Sequence, residues 1–203
     1  GHGGDGAIEI VRDLAAEALD PTGVGRLDSA PEHRDRSERA QILLFADRPA
    51  ESLRESEDLL EGNSEFALGL LVYGAALFAV ERYADALVAL EHAYAVAPLP
   101  IALAGMVYAY SGLGRSSDAR DCFQRLAELQ HLEHVRPVTM ALGHLGLGER
   151  DQALQWLEKA AELHDVNLPL HSQLRPFDTL RGEPAFARIH RQMNLRREFP
   201  AQS

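Results

Sequence analysis

One cysteine, one tryptophan, one lysine and no long apolar run distinguish this 203-residue chain. A lone cysteine excludes an internal disulfide and suits a reducing compartment, so a cytoplasmic location is expected. Cys122 falls on the apolar side of a helical segment and reads as a packing residue. The longest apolar-rich stretch, 66–80, contains two glycines and meets charge at once, which is too short for a membrane span. No basic start leads into an apolar signal segment. The opening residues, GHGGDG, read as an expression scar or flexible lead-in, with natural sequence expected upstream. Positive charge is scarce as well. A net charge of −11 argues against general nucleic-acid binding, because phosphate contacts need a positive surface. Lys159 stands against nineteen arginines, which reads as genome composition rather than chemistry.

Motifs of catalysis are missing too. There is no Gly-x-Ser-x-Gly and no phosphate-binding loop; Gly23-Val24-Gly25 follows no strand and opens no helix. His131, Glu133 and His134 form a short run one helix away from Cys122, but zinc needs three or four converging ligands. His144 reads as a packed or hydrogen-bonded residue, and His164, His171 and His190 are scattered near the C-terminus, where they could tune a pH response. No metal, cofactor or catalytic residue is expected.

What is present is an apolar fraction of 46% beside 25% charged residues, enough to build a packed domain. The charge is uneven: residues 175–203 carry a net +3, leaving −14 on the rest. A solvated basic helix lying on an acidic neighbour is the favoured account of that split, with a nucleic-acid or lipid patch as the alternative.

A period organises the chain. The segments RYADALVAL, RSSDARDCF and ERDQALQWL place Ala86, Ala119 and Ala153 at intervals of 33 and 34 residues. Each alanine follows a polar turn, and Leu90, Phe123 and Leu157 follow four positions later. An apolar helix precedes each one. A recurrence near 34 residues with two helices per unit marks stacked helical hairpins, since a single hairpin cannot bury its own apolar faces. Small residues (Gly74, Ala86, Ala93, Ala153, Ala160) belong where helices cross most closely. Pro98 and Pro100 stop one helix and start another, while Gly114 and Gly148 close turns within hairpins.

Leu70, Tyr73, Gly74, Leu77, Ala86, Leu90, Ala93 and Pro98 together resemble the signature of a tetratricopeptide repeat. The two following units resemble it at the alanine and the next large residue, with His131 and Asp165 in place of the closing proline. The resemblance implies an all-α, right-handed α-solenoid, with three such hairpins over 66–165 and a C-terminal capping segment over 166–203. Before them, 32–65 reads as a degenerate hairpin with helices near 32–45 and 49–61, started by Pro49 and capped by Gly62. The segment 1–31 holds an amphipathic helix at 7–19 and a linker. The run Arg175-Pro176-Phe177-Asp178-Thr179-Leu180-Arg181-Gly182-Glu183-Pro184-Ala185-Phe186 resembles the repeat ending of bacterial multidomain signalling proteins. Such repeats commonly follow a winged-helix, kinase or cyclase domain, none of which is in these residues.

In that family the first helix of each hairpin lines a concave face. The matching positions are Leu68, Leu71, Ala75 and Phe78; Ile101, Ala104, Tyr108 and Ser111; and Val135, Val138, Leu142 and Leu145. This line lacks the lysines and asparagines that grip a peptide carboxylate. It implies an apolar groove for an amphipathic helix or extended peptide, with Arg82 and Arg115 at the rim. The alternatives are occupation by the chain's own 7–19 helix or plain core, a sensor for a small apolar ligand or signalling peptide, and, least favoured, an enzyme. A protein or peptide partner is therefore the leading expectation, with no nucleic acid and no membrane span.

Overall fold

A computed structural model describes residues 31–132 and 135–193, and every regular element among them is helical. Proline sets many of the starts. Its fixed φ suits a first helical turn, where its missing N–H costs nothing. Proline opens α1 (Pro31–Phe45), α2 (Pro49–Gly62), α5 (Pro100–Gly112) and α7 (Pro137–Gly146). Between them lie α3 (Ala67–Ala79), α4 (Tyr83–Val96), α6 (Ser116–Leu132) and α8 (Arg150–Glu162). A short α9 (Leu168–His171), a 3-10 turn (Arg175–Leu180) and α10 (Pro184–Gln192) complete the order. No described helix is long and apolar enough to cross a membrane.

The helices pair as α1–α2, α3–α4, α5–α6 and α7–α8, and each hairpin packs on the next. The turn inside each hairpin repeats one conformation. Asp47, Glu81, Gly114 and Gly148 all have positive φ, at 58°, 64°, 72° and 76°. They stand 34, 33 and 34 residues apart, so the degenerate first hairpin is in phase with the others. An arginine then precedes the next helix in three of the four turns. Arg48, Arg82 and Arg115 pair with Glu51, Asp85 and Asp118, three residues on. One expectation needs correction: Gly62 is the last residue of α2, and Asn63, at φ −155°, is the capping position.

Close packing explains the small residues. A Cβ on Gly74 would stand 2.7 Å from Leu90 Cγ. One on Gly146 would meet the Tyr108 backbone nitrogen at 2.9 Å. Helices α5 and α7 therefore touch backbone to backbone at that point. Ala86, Ala119 and Ala153 have no exposed surface, and neither does Ser52, their counterpart in the first hairpin. His144 fits the packing expected of it, with Nδ1 2.7 Å from Glu149 and its ring 4.6 Å from Phe123.

Candidate functional site

Helices α3, α5 and α7, with Val135 just before α7, carry the twelve predicted concave positions, and not all of them meet at one place. Seven of the twelve border a single chamber of about 230 Å³: Leu68, Leu71, Ala75, Phe78, Ile101, Val135 and Leu142. Ala104, Val138 and Leu145 are buried away from that lining. Tyr108 packs its ring, tilted, 5.4 Å from Phe78 and 6.3 Å from Tyr83, and Ser111 is partly exposed.

The far wall is the C-terminal segment. Sequence reasoning assigned 166–203 to covering the final hairpin; among the described residues α9 and α10 pack on α8 and the 3-10 turn on α7. Residues 165–180 also reach the first hairpin. His164 adopts a positive φ of 52°, which reverses the chain after α8. Asp165 then anchors it: Oδ2 accepts the Val138 N–H at 3.3 Å and Oδ1 the Asn167 N–H at 3.0 Å. Arg136 lies 3.5 Å from the same carboxylate, whose side chain is only 2% exposed. A carboxylate at the first turn of α7 satisfies a donor that the helix leaves unpaired, and the adjacent guanidinium compensates its burial.

Beyond this anchor, Leu170, His171 and Leu174 line the chamber. Phe177 and Leu180 are fully buried. The segment reaches the first hairpin, where His171 lies 6.2 Å from the Phe45 ring and Arg175 3.8 Å from Asp47. This strap thus runs from the last hairpin to the first. The strap walls one side of the chamber with the chain's own residues; residues 7–19, the segment named for self-occupation, lie outside the described residues.

The lining is mostly hydrocarbon, with Gln41, Arg136, Thr139, Asn167 and His171 as its polar members. Burial pushes His171 down to about 4, helped by Arg136 and opposed by Asp165, so the ring is neutral at neutral pH. Sequence reasoning missed Arg136, Thr139 and Asn167. Nothing in spacing alone links Arg136 to Asp165, and in the sequence His171 is one of several scattered histidines.

The other chemical candidates have structural roles. Cys122 is buried, its thiol donating to the Leu103 carbonyl at 3.6 Å, and burial raises its pKa to about 11. Such a thiol is a poor nucleophile. Arg82 and Arg115 are held by their own helix acids, and Arg115 also covers the Tyr110 ring at 4.7 Å. Among the described residues no three His, Cys, Asp or Glu side chains come together as a metal site. The side chains of His131, Glu133 and His134 lie outside that description. Comparison with protein-family models, curated proteins and solved structures found no match.

Proposed function

We infer that this chain is a non-catalytic binding module whose concave chamber holds a small, largely apolar guest. On this reading it is a right-handed solenoid of tetratricopeptide type, the regulatory part of a bacterial cytoplasmic signalling protein. The chamber carries the reading: about 230 Å³ bounded largely by leucine, phenylalanine and isoleucine from α1, α3, α5, α7 and the strap. An apolar cavity of roughly 150 Å³ stays dry and takes a benzene-sized molecule. The larger chamber here suits a ring with a short chain, or a chain of about seven carbons. A histidine neutral down to about 4 is a weak base at neutral pH, which speaks for recognition rather than proton transfer.

Titration with toluene, followed by heteronuclear NMR of the leucine methyls, tests the reading. Saturable one-site binding centred on Leu71 and Leu142 is expected. Ala75→Phe, which fills the chamber, should weaken binding at least ~10-fold while the fold is kept. Absence of saturable binding to the wild type overturns the reading, as does unchanged binding to a folded Ala75→Phe.

A second reading, docking of an apolar peptide, draws on the strap itself. Leu170, in α9, and Leu174, after it, set apolar side chains from the same chain against the chamber, which supports this reading. A partner peptide would have to displace them. Amide exchange at 168–180 that is faster than in α5 and α7 is the expected result, and equally slow exchange removes this reading.

A further inference from the structure

The polar lining of the chamber is not spread evenly. Four of its five members come from two short stretches: Arg136 and Thr139 where α7 begins, and Asn167 and His171 one helical turn apart on the strap. Asp165 joins these stretches directly, through the Val138 N–H on one side, the Asn167 N–H on the other and Arg136 beside it. Gln41, on α1, is the exception. The rest of the wall is apolar, so the chamber has a greasy body and one polar end.

We propose that this end selects an uncharged amphiphile, a short hydrocarbon bearing one neutral hydrogen-bonding head such as a primary alcohol or an amide. The inference rests on the chamber being a binding site, and adds to it the class of head group.

Charge balance is the first reason. Among the described residues Arg136 supplies the only full positive charge in the lining, and Asp165, 3.5 Å away and buried, already offsets it. The Asp165 oxygens are committed to two backbone donors as well. A carboxylate guest would compete with Asp165 for the same guanidinium while losing its own water. An ammonium guest would lose water beside a cation. Neither loss is compensated, and burying an unpaired charge costs far more than burying a hydroxyl.

Hydrogen-bond capacity is the second. Thr139 is buried, with a hydroxyl that both donates and accepts. His171 in its neutral state has one donor and one acceptor nitrogen, held at the chamber wall. An alcohol or amide answers both functions. A pure hydrocarbon leaves them unanswered, and a site built for a hydrogen bond discriminates against a guest that lacks it.

The experiment compares 1-heptanol, heptanoate, heptylammonium and toluene by calorimetry on the full chain at pH 7. Heptanol should bind at least ~10-fold more tightly than either charged analogue. His171→Phe should weaken heptanol binding ~5-fold or more and leave toluene binding within about twofold. Thr139→Val, nearly isosteric, supplies the same comparison if the histidine variant fails to fold. Heptanoate or heptylammonium binding as well as heptanol overturns the proposal. So does unchanged heptanol affinity in a folded variant. If toluene binds and heptanol does not, head-group selection fails while the chamber stands as a site. If none of the four binds, the chamber itself fails.

Discussion

Ser52, Ala86, Ala119 and Ala153 occupy one place in four successive hairpins, and none has any exposed surface. Three are alanine because the crossing helices leave room only for a methyl group. The fourth carries a hydroxyl into the same space. Among the described residues the Ser52 Oγ has no hydrogen-bond partner, whereas Ser56 Oγ donates to the Ser52 carbonyl at 2.8 Å. Ser56 stands where Leu90, Phe123 and Leu157 stand in the other hairpins, so the first hairpin forgoes apolar burial at two points. A buried hydroxyl without a partner keeps its desolvation cost. Ser52→Ala removes that cost and places the better helix former in α2. The expected gain is about 1 kcal/mol, read as a higher urea midpoint with unchanged slope. An unchanged or lowered midpoint would mean that the hydroxyl is satisfied and the argument is wrong.

Elements were legible wherever one local rule repeats. The alanine positions and the turns at Gly114 and Gly148 define the hairpins because each answers a steric demand that recurs with every unit. The first hairpin was harder to read, for a physical reason that the turns expose. Its left-handed residue is Asp47, and that of the second is Glu81, so glycine marks only half of the turns although all four share the conformation. Aspartate adopts this region more readily than most side chains, and a glutamate there is held by the helices on either side. The final helix α10 was also legible, since Phe186 and Ile189 share a buried face at helical spacing. The strap was not. Leu170, Leu174 and Phe177 stand at helical spacing, but Pro169 and Pro176 break the segment into short pieces, which fix no direction of travel. Apolar burial says that these side chains go inside; it does not say on which side of the last hairpin. The ties that decide it, Asp165 to Val138 and Arg175 to Asp47, join residues 27 and 128 positions apart. Seven of the twelve predicted positions therefore met around one chamber, while the groove they were meant to line acquired a wall from elsewhere in the chain.

At the scale of the whole molecule, the strap changes what kind of object a hairpin array is. In a simple array each unit contacts its neighbours only, stability is close to a sum of local terms, and the ends fray first. Here Phe45 meets His171 and Arg175 meets Asp47, so the first hairpin is tied to a segment that leaves the last one. That tie is expected to couple the unfolding of the first and last hairpins, although α1 and α8 lie far apart in sequence. Trp156, the sole tryptophan, sits on α8 beneath Lys159, whose ammonium lies 4.4 Å from its ring centroid, and its fluorescence reports the C-terminal end alone. Circular dichroism reports every helix. In the wild type the two urea transitions should coincide. His171→Ala with Arg175→Ala removes the tie from the strap side and leaves the interior of the first hairpin intact. The dichroism transition should then begin earlier, its midpoint about 0.5 M below that of Trp156, as expected for ~1 kcal/mol of lost coupling. Transitions that still coincide in the double variant would show that the neighbouring interfaces alone carry the cooperativity, with the strap a passenger on the concave face.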